Sequence, residues 1–511
     1  MNYADLFRVT LPETALEVAA LLVLVVDLAF LRKAARNTRL MTAAMLGVLG
    51  CGVSLLTIPL QAQGPLLTPT GDQVLLAVGG YTAIAQIGIL ALTVLTLFLL
   101  MDSSFTRNAG EFVAVTLMAA TGGLLIAGAQ DLLVIFIGLE LLSLGLYILT
   151  AFAKKSGKSA EAAMKYYLFG GMSAAFLLFG FSYLYGIAGS TNLHQVVLAT
   201  YGSNGINATP LLDVALVMIA AGLGFKVAAA PFHLWAPDTY EGAPAPAAAF
   251  IASVSKVASF ALLISISTAV AHVFGDAKTV RVSVLLSEGQ HLPRMLGLGA
   301  PWSIAIATLA GASMVLGNLA ALAQSSVRRL LAYSAIAHAG YILLAIAYFS
   351  HTTASANAVL YYILTYGLTT VGAFGVVAVV ERANGSDRMD AFIGLHRRSP
   401  ALAAILLVFF LSLAGIPPLV GFWAKFNLFA VVLGVDRGIS PFALVTIAVA
   451  MSAVSLYYYL QVLKRAFVVP AMDDSRMAVH PVTMMVLGLI AASVLVLGCF
   501  PALLQGWMAS F

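Results

Sequence analysis

The chain has 511 residues, 61% of them hydrophobic and only 9% charged, with a mean hydropathy of +1.00. Soluble domains carry roughly 25% charged residues, so this composition excludes a soluble enzyme or a nucleic-acid-binding domain and describes a polytopic membrane protein. The net charge of +5 is informative only by position.

Apolar runs of about 18 or more residues recur along the whole length. A backbone in lipid must satisfy its own hydrogen bonds, and the alternation of a barrel is absent, so the expected fold is all-α. Fourteen transmembrane helices are predicted, near residues 11–31, 40–60, 75–101, 111–129, 132–153, 161–188, 209–230, 243–271, 301–323, 330–349, 354–380, 400–430, 441–463 and 480–502. Met1–Thr10 has no basic region leading into a short apolar core and cleavage site, so the first helix is expected to be retained. Cys51 and Cys499 each stand alone in an apolar run, which leaves no framework for a disulfide, an iron–sulfur cluster or a zinc site. No strand followed by G-x-G-x-x-G occurs and no P-loop, so nucleotide chemistry is not expected in this chain.

Basic residues collect on the cytoplasmic side of membrane proteins. With the first loop placed inside, eighteen of the 26 lysines and arginines fall in inner loops, five in outer ones and three within the membrane. Both termini are then periplasmic. The outer set includes Lys278, Arg281 and Arg294 in a long loop from His272, and Arg437.

Ionisable groups at membrane depth are the candidate functional residues, because a charge at mid-bilayer costs about 2.5–3.5 kcal/mol on insertion scales. Glu140, in the fifth helix, shares its helical face with Ser143 and Tyr147. Lys165 lies four residues into the sixth. Lys226, in the seventh, has Gly222 four residues before it and His233 seven after, with Pro231 expected to interrupt the helix. Lys256, in the eighth, lies on a stripe with Ser253 and Ser259, a pattern that lines water. His338, in the tenth, has Ser334 and Tyr341 on its face, and its unperturbed pKa near 6.5 suits proton transfer. Lys425, in the twelfth, follows Gly415, Ile416, Pro417, Pro418 and Gly421 within a run too long for one straight span. Helices seven and twelve are therefore expected to be discontinuous. Their separation by five segments predicts two inverted five-helix repeats, helices 4–8 and 9–13, with Lys226 and Lys425 in matching places. Two unit charges about 4 Å apart attract by roughly 4 kcal/mol at an effective dielectric near 20, so a Glu140–Lys226 pair would decide whether Lys226 keeps its proton.

GLELLSLGLYIL (138–149), FKVAAAPFHLWAPDTYEGAP (225–244), SKVASF (255–260), RRLLAYSAIAHAGY (328–341) and GIPPLVGFWAKF (415–426) together resemble the antiporter-like membrane subunits of respiratory complex I, and among them the N-subunit family. The resemblance covers nearly the whole chain after residue 75. A lysine at 425 is unlike the related M subunits, which carry a glutamate there. The resemblance implies a proton relay of Glu140, Lys226, Lys256 and Lys425, supported by Lys165, His233, Tyr333 and His338. It further implies four parts: a three-helix segment at 1–105, a proton-uptake repeat at 106–275, an exit repeat at 276–465 and a C-terminal helix at 466–511. NADH, FMN, iron–sulfur clusters and quinone would be bound by partner subunits, with no cofactor or metal in this chain. The neighbours would be K-type and M-type subunits in a bacterial cytoplasmic (inner) membrane.

Plainer readings compete with these. Lys226, Lys256 and Lys425 could form only structural pairs, Lys165 could snorkel to the surface, His233 could cap a helix, and Tyr333 and His338 could be satisfied core groups. Asp27, Asp131 and Asp213 are expected to be solvated, and Trp302 and Tyr457–Tyr459 to be interfacial anchors. A subunit of a multi-subunit cation/proton antiporter is the main functional alternative, and an inert spacer in a membrane arm is a third.

Overall fold

Long apolar runs become membrane helices, and their interruptions become breaks. The computed structural model describes residues 3–61, 66–67, 74–201, 210–288, 300–350, 353–435, 438–470 and 476–511. Its membrane segments are α1 (Leu11–Val25, continued by a π turn over Val26–Phe30), α2 (Arg36–Thr57), α3 (Gly80–Leu100), α4 (Ala109–Gly128), α5 (Leu132–Thr150) and α6 (Gly157–Ala188). They continue as α7a (Pro210–Lys226), α7b (Trp235–Gly242), α8 (Ala245–Glu288), α9 (Ala300–Leu322), α10 (Val327–Ala347) and α11 (Thr353–Asn384). The last are α12a (Pro400–Ala414), α12b (Val420–Val435), α13 (Ile439–Phe467) and α14 (Pro481–Cys499). Among the described residues eleven helices are long and apolar enough to cross a bilayer. Together with α1 and the interrupted segments seven and twelve they make the fourteen expected. Extended backbone among the described residues is confined to a ladder of Leu66–Leu67 with Val74–Leu76 and a few isolated bridges. The loop expected from His272 is helical as far as Glu288. Arg294 and Arg437, counted for the outer side, lie outside the described residues, as do Met1 and Asn2 at the N-terminus.

The inverted repeat is visible in close backbone approaches. α4 meets α5 where Gly122 lacks a side chain, and a Cβ there would sit 2.5 Å from the Leu142 amide nitrogen and 2.9 Å from the Gly138 oxygen. Gly317 on α9 makes the same approach to Ala337 and Tyr333 on α10, at 2.6 and 3.0 Å. Gly145 against Ala119 recurs as Gly340 against Met314. All of these pairs are related by one constant offset in sequence. The helix starts recur at that offset too. Asp131 caps α5 by accepting from the Leu133 and Val134 amides, and Ser326 caps α10 by accepting from Arg329. Beside each cap a short bridge holds the chain that follows the next helix. Leu132 and Leu193 donate to Thr191 and Gln130, as Val327 and Met389 donate to Asp387 and Ser325. Five helices per unit is an odd number, so the second unit crosses the membrane in the opposite sense.

The core lies where the two units meet. α8 is buried almost throughout as far as Ala271, and α10 and α11 nearly so, as helices that are apolar all round should be. α6 and α13 are largely exposed and form outer edges of the bundle. Several residues near span ends depart from expectation. Asp27 is buried and held by both Arg39 donors at 2.8 and 2.5 Å, and the capping Asp131 is buried as well, whereas Asp213 is exposed. Trp302, Tyr458 and Tyr459 are interior, and only Tyr457 faces outward. For Asp27, Tyr458 and Tyr459 neighbouring helices supply the partners Arg39, Asn318 and Ser334, which the residues' own positions did not reveal.

Candidate functional site

Both breaks leave backbone carbonyls without helical partners at membrane depth, which is tolerated only inside protein or beside water. In segment seven, Pro231 has no amide proton to continue the helix, and Val227, Ala228, Ala229 and Ala230 are all buried. The Ala230 amide donates to Ser313 Oγ on α9 at 2.8 Å, and the Trp235 indole donates to the Phe225 carbonyl at 3.0 Å. In segment twelve, Gly415 takes a left-handed conformation with φ +88° that ends α12a before Pro417 and Pro418.

Three lysines converge on these features. Lys226, the last residue of α7a, donates to Ser143 Oγ at 2.5 Å and pairs with Glu140 Oε1 at 3.5 Å, both on α5. Lys256 on α8 donates to the Val227 carbonyl at 3.1 Å and to the Ala335 carbonyl on α10 at 2.8 Å. Lys425 on α12b donates to the Leu413 and Ala414 carbonyls at 3.2 and 2.9 Å and to Ser452 Oγ on α13 at 2.7 Å, with the Tyr341 ring centroid 5.3 Å away. The three side chains are 4–8% exposed, so each ammonium relies on protein partners. A cation at the C-terminal end of a half-helix also meets the negative end of its dipole, the geometry found in ion paths.

His338 fills the interval between Lys256 and Lys425. It sits one turn beyond Ala335, its Nδ1 is 2.8 Å from the Tyr362 hydroxyl, and its ring faces the Leu413 carbonyl that Lys425 shares. Lys226 thus immediately precedes the Val227 whose carbonyl Lys256 holds, and Lys256 and Lys425 hold the Ala335 and Leu413 carbonyls on the two sides of His338. At the repeat offset Ser143 corresponds to His338, so the position that receives Lys226 in one unit carries an imidazole in the other. Lys226 and Lys425 do not occupy matching places. Lys226 ends the half-helix before its break, while Lys425 lies in the half-helix after its own and reaches back to it. In contacting a break carbonyl Lys425 resembles Lys256.

The remaining candidates lie to one side of this line. Lys165 on α6 pairs with Asp238 and Glu161, each at 2.7 Å, towards the end of the span where the inner-loop lysines lie. His233 sits in the break of segment seven, half-buried, with the Tyr333 ring centroid 6.4 Å away. Tyr362, Ser452 and Ser313 were not singled out in the sequence. Their signal was slight, a hydroxyl on an otherwise apolar helix. Glu140 is less enclosed than the lysines, its side chain 26% exposed beside the outward-facing Ile137 and Leu144. Among the described residues no three or more His, Cys, Asp and Glu side chains are placed to hold a metal ion.

The chain matches the family described as NADH:quinone oxidoreductase/Mrp antiporter, transmembrane, over residues 129–286 and 267–455. It is 47% identical over 518 residues to the NADH-quinone oxidoreductase subunit N 2 of Acidobacterium capsulatum, covering 99% of each chain. Among solved structures it is 31% identical to a chain of respiratory complex I from Thermus thermophilus with bound aureothin, with a TM-score of 0.75 over 97% of this chain and 98% of that one. A chain of the Mrp complex from Dietzia sp. DQ12-45-1b shares the fold at 20% identity, with a TM-score of 0.77 over 98% and 97% of the two chains. These likenesses run from end to end of a chain whose buried lysines meet two broken helices, and the protein belongs to the N-subunit family of NADH-quinone oxidoreductases.

Proposed function

We propose that this chain, a proton-translocating membrane-arm subunit of NADH:quinone oxidoreductase, moves protons along the buried line Glu140, Lys226, Lys256, His338 and Lys425. The observation that carries the proposal is the set of three enclosed ammonium groups, each within hydrogen-bond reach of a hydroxyl or a break carbonyl, linked through His338. A lysine holding its proton against a carboxylate releases it when that charge is withdrawn or neutralised, because the attraction at 3.5 Å amounts to several kcal/mol. Quinone reduction in partner subunits would weaken the Glu140–Lys226 pair. Lys226 would then pass its proton towards Lys256, and His338 would carry it on to Lys425. Lys165, His233 and Tyr333 serve as supporting polar groups around the first break.

On this reading residues 1–105 form a supporting three-helix segment, 106–275 the uptake repeat, 276–465 the exit repeat and 466–511 the C-terminal helix. A cavity of about 430 Å³, lined by Lys158 and Glu241 of one repeat and Arg328, Glu381 and Asp387 of the other among others, supports water access from the cytoplasmic side between the two repeats. NADH, FMN, iron–sulfur clusters and quinone belong to the partner subunits. K-type and M-type subunits flank the chain, both termini are periplasmic, and the membrane is the bacterial cytoplasmic one. The partly exposed Glu140 supports a neighbour on the α5 edge, since a carboxylate facing lipid would be poorly tolerated.

The test is proton uptake by inverted membrane vesicles during NADH oxidation, normalised to assembled complex. Lys226→Ala and Lys425→Ala are expected to abolish coupled uptake without loss of assembly. Normal coupled activity in both would remove the relay. Sodium or potassium exchange by vesicles lacking every redox partner would favour the antiporter alternative instead.

A further inference from the structure

The half-helix after the first break is held by charges from both repeats. Asp238 and Glu241 lie three residues apart on one face of α7b, the spacing that brings side chains together on a helix. Asp238 accepts from Lys165 of α6 at 2.7 Å and from Arg329 of α10 at 2.6 Å. Glu241 accepts from Lys158 of α6 at 2.9 Å and from the same Arg329 nitrogen at 3.1 Å. Arg329 Nε is occupied by Gln324 at 3.3 Å, and its backbone amide is tied to the Ser326 cap. Its neighbour Arg328, buried, donates to the Ala243 carbonyl just beyond α7b and pairs with Glu381 of α11. At the other end of α7b the Trp235 ring stacks on Tyr166 of α6, with centroids 4.2 Å apart, and donates to the Phe225 carbonyl.

Single ion pairs at such partly exposed sites contribute little, but here two carboxylates share one guanidinium and two lysines in a network. α7b has eight residues, about 12 Å of helix, so its charged end lies within two turns of the break. That break presents Lys226 to Glu140 and the Val227 carbonyl to Lys256.

We propose that Asp238, shared by Lys165 of the first repeat and Arg329 of the second, is a positioning residue of the proton path. It locks α7b across the two repeats and keeps the first break in register with both buried lysines. The inference rests on the relay described above and deepens it, because it assigns Lys165 its supporting part, which is to anchor α7b. Arg329 is the matching tie from the other repeat.

The experiment compares Asp238→Asn, Arg329→Gln, the double variant and Lys226→Ala in inverted vesicles containing the whole complex. Coupled proton uptake and oxidation of NADH by an artificial acceptor are both measured per assembled complex. Each single variant is expected to lower coupled uptake about two- to fivefold with acceptor activity unchanged, and the double variant to fall no further than the worse single one. The conservative variants Asp238→Glu and Arg329→Lys, which keep the charges, are expected to recover most of the rate and serve as the comparison if the neutral variants assemble poorly. Wild-type uptake in Asp238→Asn and Arg329→Gln beside an inactive Lys226→Ala would overturn the proposal while leaving the relay intact. Losses that multiply in the double variant, or conservative variants no better than neutral ones, would also overturn it. Normal uptake in Lys226→Ala would instead refute the relay itself.

Discussion

Replacing Glu140 by glutamine keeps the shape of the side chain and removes only its charge. The pair distance of 3.5 Å gives an attraction of about 5 kcal/mol at an effective dielectric near 20. The carboxylate is 26% exposed, so screening reduces this to about 2 kcal/mol. The change therefore removes an attraction of that size that acts only on the charged ammonium of Lys226. Ser143 remains as a partner in the variant, its hydroxyl accepting from Lys226 while it donates to the Leu139 carbonyl at 2.6 Å. Coupled proton uptake by inverted vesicles, normalised to assembled complex, is therefore expected to fall steeply in Glu140→Gln and to recover partly in Glu140→Asp. Wild-type uptake in Glu140→Gln across the working pH range would refute the reasoning, because the pair would then have no hold on the proton.

Other positions test other parts of the arrangement. Lys256→Arg keeps a cation beside the Val227 and Ala335 carbonyls but cannot release its proton, so the complex is expected to assemble with coupled uptake lost, as judged by native gels and vesicle assays. Ser143→Ala removes the 2.5 Å partner of Lys226 at a cost of about 1–3 kcal/mol, and a lower rate of uptake with assembly intact is the expected result. Gly317→Ala places a methyl group 2.6 Å from a backbone nitrogen of α10, and overpacking of about 1–3 kcal/mol should lower the thermal stability of the purified complex. Asp131→Ala removes the α5 cap and the partner of the Thr191 hydroxyl, and a stability loss of about 1–2 kcal/mol is expected in the same measurement.

The spans were legible because the bilayer demands long apolar stretches, and every predicted segment has a helix in its place. The breaks were legible from Pro231, Pro417, Pro418 and Gly415, whose backbones cannot continue a helix. The repeat was legible in its period but not in its register. What recurs is a close backbone approach at Gly122 and Gly317, and the side chains around it differ. For the same reason the lysines of the two units were wrongly aligned, since the units share a break rather than a side chain beside it. The Glu140–Lys226 pair could be anticipated from charge at depth. The carbonyl partners of Lys256 and Lys425 could not, because they are freed only by the way the breaks fold. Burial of Tyr458, Tyr459 and Trp302 likewise depends on which helices pack against them, which local composition does not record.

The most direct measurement is a map of the intact complex at a resolution that shows ordered water around α7, α8 and α12. A relay predicts water or polar atoms within hydrogen-bond distance of one another without interruption from Lys226 through Lys256 and His338 to Lys425. An apolar gap wider than one water between any two of these groups, present in every state of the working complex, would contradict it.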